Sequence, residues 1–502
     1  MVGSDAFRGS LLTGALALFT VCSSVAEEEV AEADAATPTA GTRPNIVYVF
    51  PDQWRASATG YTGNPDVITP NIDRLSGESL NFRNTVATAP VCGPYRAALM
   101  TGRYPTSTGF TFNDLHLPAE EYTFAEIFAD AGYNTAYIGK WHLDGMGRSA
   151  YIPPERRQGW RFWMAAECDH ANHTSHYFTG DSDERRFWQG GYDVFAQTRA
   201  AKDYLRAQAG ADKPFVLMLS WGPPHPSSDA PPKEFLDLYN PNDLTIPPNV
   251  PEVRHTETRG LLHRYYAHCS AIDHALGELL KTLDETGLAE NTIFIFTADH
   301  GGMLWSHGAP QEWKQVHWSE SAHVPFLLRY PTPSGMKART VETPLGTTDI
   351  LPTLLSLAGI ERPNTLEGAD LSALIRDGIE IPDRAALYMS VTPFVGQGKP
   401  HRSIRTVDHT YVRGLEGPWM LFNDREDPFQ MRNLLSEPEF AELAAEMDAR
   451  LQAELDRIGD DFRHPQDYVE AWGYQVDHRF AIPYSVTPRE PQTPPPHLLP
   501  PR

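Results

Sequence analysis

Up to about residue 382 the apolar positions alternate between two textures. Asn45–Phe50, Thr135–Ile138, Phe215–Ser220 and Asn291–Phe296 are continuous apolar or β-branched runs that read as strands buried on both faces. Between and after them, Thr69–Gly77, Tyr122–Ala131, Asp193–Ala209, Thr258–Gly287 and Thr348–Leu357 space their apolar residues three and four apart, which predicts helices. Leu80–Thr88 and Val324–Arg329 add strand-like pieces. Strands alternating with helices predict an α/β domain over residues 44–382, with a mostly parallel mixed sheet sandwiched by helices.

From Asp383 the texture changes. Ala386–Val391, Ser403–Val407, Thr410–Val412 and Trp419–Phe422 are short strand-like pieces, and one helix, Pro438–Ile458, follows them. They predict a smaller C-terminal α+β subdomain over 383–480 with an antiparallel sheet, ahead of a proline-rich tail over 481–502. Arg148–Gly191 shows neither period. It is rich in Arg, Trp and His and reads as an excursion over a binding face. It either lines a carbohydrate cleft, in which case Arg157 and Trp163 meet a glycan, or is surface packing, and the sequence leaves the two equally open.

The N-terminus changes the expected compartment. Arg8, the apolar run Leu11–Val21 and Ser24-Val25-Ala26 give residues 1–26 the pattern of a signal peptide, and the apolar run is too short to span a bilayer. Residues 27–43, acidic and then Ala/Thr/Pro-rich, read as a disordered linker. The expectation is an exported protein, periplasmic or secreted, with no transmembrane segment; Cys22 sits in a poor context for lipid anchoring. A formal charge of −23 over 502 residues argues against a nucleic-acid partner and requires any anionic substrate to find a local cluster of cations. Past the signal, Cys92, Cys168 and Cys269 remain, an odd number that leaves at least one thiol unpaired. A Cys168–Cys269 bridge is the pairing that spares Cys92, and the sequence leaves it open.

The chemistry collects at predicted strand ends: Asp52 and Gln53, Lys140 and His142, His225, then Asp299 and His300. Asp52, Gln53, Asp299 and His300 suit a divalent cation such as Ca²⁺ or Mg²⁺. Arg96, Lys140 and Lys314 suit the oxygens of a tetrahedral anion, and His142 and His225 are candidate proton carriers. In Val91–Arg103, Pro94 fits a first helical turn, so Cys92 falls at the positive end of a helix with Arg96 four residues on. On that stretch alone, a buried structural cysteine and a reactive one are equally good readings.

Together these motifs resemble the formylglycine-dependent sulfatases of the alkaline phosphatase superfamily. Cys92-Gly93-Pro94-Tyr95-Arg96 matches the C-x-P-x-R signature, and Leu99–Arg103 matches its continuation. Gly139–Leu143 matches G-K-W-H-L, Thr297–Gly301 the D-H-G metal motif, and Lys314–Pro325 the spacing from a lysine to a V-P pair. The resemblance implies a sulfuric ester hydrolase in which a maturation enzyme oxidises Cys92 to formylglycine, whose hydrated form attacks the sulfur of a sulfate ester. It implies one Ca²⁺ held by Asp52, Gln53, Asp299 and His300, with Arg96 orienting the diol. Lys140, Lys314 and His225 would bind the sulfate, His225 or Lys314 would protonate the leaving alcohol, and His142 would take the proton of the second hydroxyl. The expected substrate is a sulfated polysaccharide or its oligosaccharides. The alternatives are a phosphatase or phosphonate monoester hydrolase of the same superfamily, or a non-catalytic glycan binder if Cys92 stays a thiol. Three positions depart from the family pattern: Tyr95 replaces a Ser or Ala, Gln53 a second Asp, and His323 an Arg.

Overall fold

The computed structural model describes residues 43–331 and 337–500; the signal peptide expected over 1–26, Cys22 within it, and all but the last residue of the linker expected over 27–43 lie outside the described residues. The large sheet is built around β1 (Asn45–Asp52), all eight residues of which are buried, as its unbroken apolar run requires. In chain order the other strands before the subdomain are β2 (Leu80–Phe82), β3 (Thr85–Val86), β4 (Asn134–Lys140), β5 (Phe162–Ala166), β6 (His176–Thr179) and β7 (Arg186–Phe187). They continue with β8 (Phe215–Pro224), β9 (Thr292–Phe296), β10 (Leu327–Arg329), β11 (Arg339–Val341) and β12 (Leu345–Gly346).

Ten of these strands form one sheet in the order β11-β2-β10-β9-β1-β8-β4-β5-β6-β7, and β3 pairs with β12 separately. The centre, β9-β1-β8-β4-β5, is parallel, while β10 and β6 run antiparallel to their neighbours. Parallel strands deliver their C-terminal ends to one edge, so Asp52, Lys140, Pro224 and Phe296 all finish on the same side. Helices cover the sheet, among them Cys92–Thr101, Asp193–Gln208, His255–Glu285 and Thr347–Leu357.

The second sheet is antiparallel: β13 (Ala386–Ser390), β14 (His401–Arg405), β15 (His409–Gly414) and β16 (Gly417–Asn423), backed by the helix Ala441–Ile458. Leu387, Met389, Ile404, Tyr411 and Leu421 alternate onto its inner face against Met447, Leu451 and Leu455. The proline-rich end is docked on the large domain: Gln492 offers its carbonyl to the His116 amide, and Leu498 offers its own to Arg103.

Two expectations need correcting. Arg148–Gly191 is not a plain excursion, because β5, β6 and β7 within it extend the large sheet. Nor do Trp163 and Arg157 meet a glycan, being only 1% and 2% exposed. Trp163 stacks on Tyr137 and meets Trp141 edge-on, and the Arg157 guanidinium lies over the Trp163 ring. These large side chains bury more apolar surface inside the sheet's flank than a cleft wall would allow.

Candidate active site

Cys92 begins its helix with Val91 extended before it, and Pro94 lies in the first turn. The amide of Gly93 donates to Asn113 Oδ1 at 2.7 Å, which fixes the helix start. Sequence reasoning missed Asn113 because a polar residue in a loop carries no periodic signal.

Around the Cys92 sulfur the strand ends converge. His300 Nε2 is 3.3 Å away, Lys314 Nζ 3.4 Å, and Asp52 Oδ1 3.6 Å. Burial and Asp52 oppose ionisation of this thiol, but Lys140, Lys314 and His300 outweigh them and pull its pKa well down. The position therefore has a positive potential that favours anionic oxygen or sulfur.

The carboxylate of Asp52 receives Lys140 Nζ at 2.6 Å and lies 3.6 Å from Arg96 Nη2. Burial would raise its pKa, yet Lys140 in particular holds it well below the usual carboxylate range. Arg96 is completely buried. Its Nη2 donates to Asp299 Oδ2 at 3.1 Å, and its Nη1 donates to the Lys140 carbonyl at 2.6 Å and to Ser220 Oγ at 2.8 Å. Asp299 also accepts the backbone N–H of Gln53 at 3.0 Å, and Gln53 adopts a left-handed φ of 66° to present it. Burial and repulsion from Asp52 raise the Asp299 pKa.

Ligand atoms of Asp52, Cys92, Asp299 and His300 all lie within 4.8 Å of one another. His300 Nδ1 donates to the Gly301 carbonyl at 2.7 Å, which leaves its Nε2 facing this cluster. Two mutually repelling buried carboxylates beside an oriented imidazole fit a divalent cation. Gln53 Oε1 faces the same centre, 3.3 Å from Lys314 Nζ.

Lys314 also reaches His225, whose Nε2 accepts from Nζ at 3.3 Å while its Nδ1–H donates to the Pro226 carbonyl at 2.9 Å. Burial and the Lys314 charge push the His225 pKa well down, so the imidazole is neutral. His142, left-handed at φ 61°, lies across the cavity with Nε2 3.6 Å from Asp114 Oδ1. Burial disfavours its charge, but the neighbouring Cys168 and Asp114 raise its pKa well above the ordinary value. Cys168 is depressed in turn, chiefly by His142 and Lys140 against its burial. The loop after His142 is pinned by Glu167, which accepts the amides of Leu143, Asp144 and Gly145. Burial and Asp144 push the Glu167 pKa up to about 7.

All ten sequence-derived site residues thus lie at or beside one cavity of about 530 Å³, with Cys92, His142, His225 and Lys314 in its lining. The Cys168–Cys269 bridge left open by the sequence does not form: Cys92, Cys168 and Cys269 are all free and buried, with Cys269 inside the His255–Glu285 helix. Tyr95 fills the space over β1, its hydroxyl 3.2 Å from that of Tyr48 and its ring against Phe50. His323 stands apart from the site and bonds the Arg83 carbonyl through Nε2. The cavity also has a wall formed by Arg148 and His170, from the stretch expected over a binding face, and by Asp114, Arg479 and Tyr484, which sequence reasoning did not find.

The sulfatase family profile matches residues 44–360, and the profile described as N-sulphoglucosamine sulphohydrolase, C-terminal, matches residues 312–457. The chain is 47% identical over 446 residues to an ulvan-active sulfatase of Formosa agariphila, covering 88% of this chain and 87% of that one. An endo-4-O-sulfatase of Bacteroides thetaiotaomicron is 28% identical, over 84% of this chain and 92% of its own. Among solved structures, that of a candidate sulfatase, yidJ, from Bacteroides fragilis superposes with a TM-score of 0.77 at 28% identity, covering 85% of this chain and 98% of that one.

Proposed function

This chain belongs to the sulfatase family and is a sulfuric ester hydrolase, and we propose that it removes sulfate from a sulfated polysaccharide or its oligosaccharides. The observation that carries this reading is the contact of the Cys92 position with His300, Lys314 and Asp52 together, at the floor of an open cavity. In the proposal the Cys92 sulfur stands where a formylglycine oxygen stands after maturation during export. Asp52, Gln53, Asp299 and His300 would hold a Ca²⁺, which with the hydrated aldehyde would supply the nucleophile and stabilise charge on the sulfate oxygens.

The chain's own residues then have separable tasks. Arg96 neutralises Asp52 and Asp299 from below and fixes their direction, leaving their other oxygens to the cation. Lys140 and Lys314 hold the sulfate oxygens. The neutral His225 accepts from Lys314, so the pair can pass a proton to the departing alcohol. His142 lines the cavity together with Cys92 and, in its neutral form, would take the proton of the second hydroxyl. A glycan substrate is supported by the names of the relatives, an ulvan-active sulfatase and an endo-4-O-sulfatase, and by a cavity of about 530 Å³ over Cys92. Export is supported by the pattern of residues 1–26, and among the described residues no helix is long and apolar enough to cross a membrane.

The test is a comparison of matched aryl sulfate and aryl phosphate esters, followed by sulfate release from defined sulfated oligosaccharides. Preferred turnover of sulfate is expected. Faster phosphate turnover would favour the phosphatase reading.

A further inference from the structure

Beside the catalytic cavity lies a second one of about 640 Å³, and the two share Arg148, His170 and Tyr484 as a common wall. The second cavity extends away from Cys92 towards Arg185, Phe187 and Val486. It is assembled from five separate parts of the chain: the loop after β4, the stretch from Cys168 to the start of β6, edge strand β7 with Arg185 just before it, the loop after β8, and the C-terminal segment. No relative's name or motif assigns it a role.

Its chemistry is uneven in an informative way. Phe187 and Tyr484 are 48% and 53% exposed, unusual for aromatic side chains in a chain that buries most of its rings. Tyr484 is held in place, because the Arg148 guanidinium lies 4.5 Å from its ring centre. The charges along the floor are mostly spent. Arg148 is paired with Asp114 by two bonds of 2.8 Å, Asp169 with His176 at 2.6 Å, and Asp229 accepts the Asn172 amide at 2.7 Å. Arg185 differs. It donates one N–H to the Ser149 carbonyl at 3.0 Å and, unlike Arg186, which pairs with Glu184, has no ion-pair partner among the described residues. Exposed aromatic faces suit the C–H face of a pyranose, and a free guanidinium fork suits a carboxylate or sulfate.

We propose that this second cavity is a binding site for the sugar residue next to the one being desulfated, and that this neighbour carries an anionic group held by Arg185. The inference rests on the glycan reading above and deepens it: the preferred substrate is an oligosaccharide with an acid on the adjoining residue. Phe187 and Tyr484 hold the ring, and Arg185 reads its charge.

The experiment measures kcat/KM of the full chain on four substrates: an aryl sulfate, a sulfated disaccharide with a neutral neighbour, one with a uronate neighbour, and one with a sulfated neighbour. Each is compared for wild type, Arg185→Ala, Arg185→Lys and Phe187→Ala. The ratio of acidic disaccharide to aryl sulfate should fall at least tenfold in Arg185→Ala and recover in part in Arg185→Lys. The same ratio for the neutral disaccharide should change less than threefold. The uronate and sulfate arms show which acid is read. In Phe187→Ala the ratio should fall for every disaccharide, which a purely electrostatic role for the cavity would not produce. An unchanged ratio for both acidic disaccharides in Arg185→Ala overturns the proposal. A wild type that turns over aryl sulfate but no disaccharide overturns both this site and the glycan reading, leaving the sulfatase reading standing. A wild type inactive on all four substrates overturns the sulfatase reading itself.

Discussion

Replacing Arg96 by Met exposes how the site is held together. The guanidinium is fully buried and lies 3.1 Å from Asp299 Oδ2 and 3.6 Å from Asp52 Oδ2, while also donating to the Lys140 carbonyl and Ser220 Oγ. Removing one partner of a buried ion pair leaves an uncompensated charge and costs about 3–5 kcal/mol. The Lys140 carbonyl keeps a second donor, Tyr137 OH at 2.6 Å, so little more is lost there. Most of the cost should therefore be electrostatic and lie in the carboxylate pair. Urea unfolding of Arg96→Met should show a loss of about 3–5 kcal/mol. Adding Asp299→Asn to that variant should return about 1–2 kcal/mol, since contacting charges couple by this order. Added Ca²⁺ should stabilise Arg96→Met more than wild type, because Asp299, stripped of its guanidinium partner, binds the cation more tightly while Asp52 keeps Lys140. A loss below about 1 kcal/mol, or a double variant less stable than additivity predicts, would refute this account of Arg96.

Three further outcomes follow from the same geometry. Tyr95→Phe should cost about 1 kcal/mol through the lost bond to Tyr48, whereas Tyr95→Ser, the smaller residue usual in the family, should cost about 3–5 kcal/mol for the cavity left against Phe50; equal costs in urea unfolding would show that the ring's packing does not matter. His268 and His401 are buried, and desolvation pushes each pKa down to about 3. The unfolded chain therefore binds more protons than the folded one between pH 3 and the ordinary histidine value, and stability falls as pH falls through that window. At pH 5 each costs about 2 kcal/mol, so His401→Gln should lose that much less than wild type between pH 7 and pH 5, and an unchanged difference would contradict the assignment. Exhaustive chelation should abolish aryl sulfate turnover and lower Tm, with Ca²⁺ at a hundredfold excess over its Kd restoring about 2.7 kcal/mol; a chelated enzyme with unaltered Tm would count against a structural cation at Asp52 and Asp299.

The parallel centre of the sheet was legible because strands buried on both faces must be continuously apolar. Asp52, Lys140, His225, Asp299 and His300 then stand out as the polar residues at their ends. The helix at Cys92 was legible from Pro94 and the spacing to Arg96. What was hidden came from parts without a period. Strands β5–β7 run along one flank of the sheet, where short length and mixed composition blur alternation, so buried Trp163 and Arg157 looked like a polar binding face. Asp114 is itself a left-handed loop residue, φ 63°, and no local signal announces it. Arg479 and Tyr484 lie in irregular chain that only tertiary contacts bring to the cavity. Tyr95 was unexplained until Tyr48 and Phe50, on the strand beneath, supplied its neighbours.

The account turns on what residue 92 is in the mature protein. Trypsin releases it within residues 84–96, and the mass of that peptide from exported, catalytically active protein reports its state. The account predicts a peptide lighter by the exchange of sulfur and two hydrogens for one oxygen, with Cys92→Ala inactive on aryl sulfate. An intact thiol at position 92 in a preparation that turns over sulfate esters would contradict it.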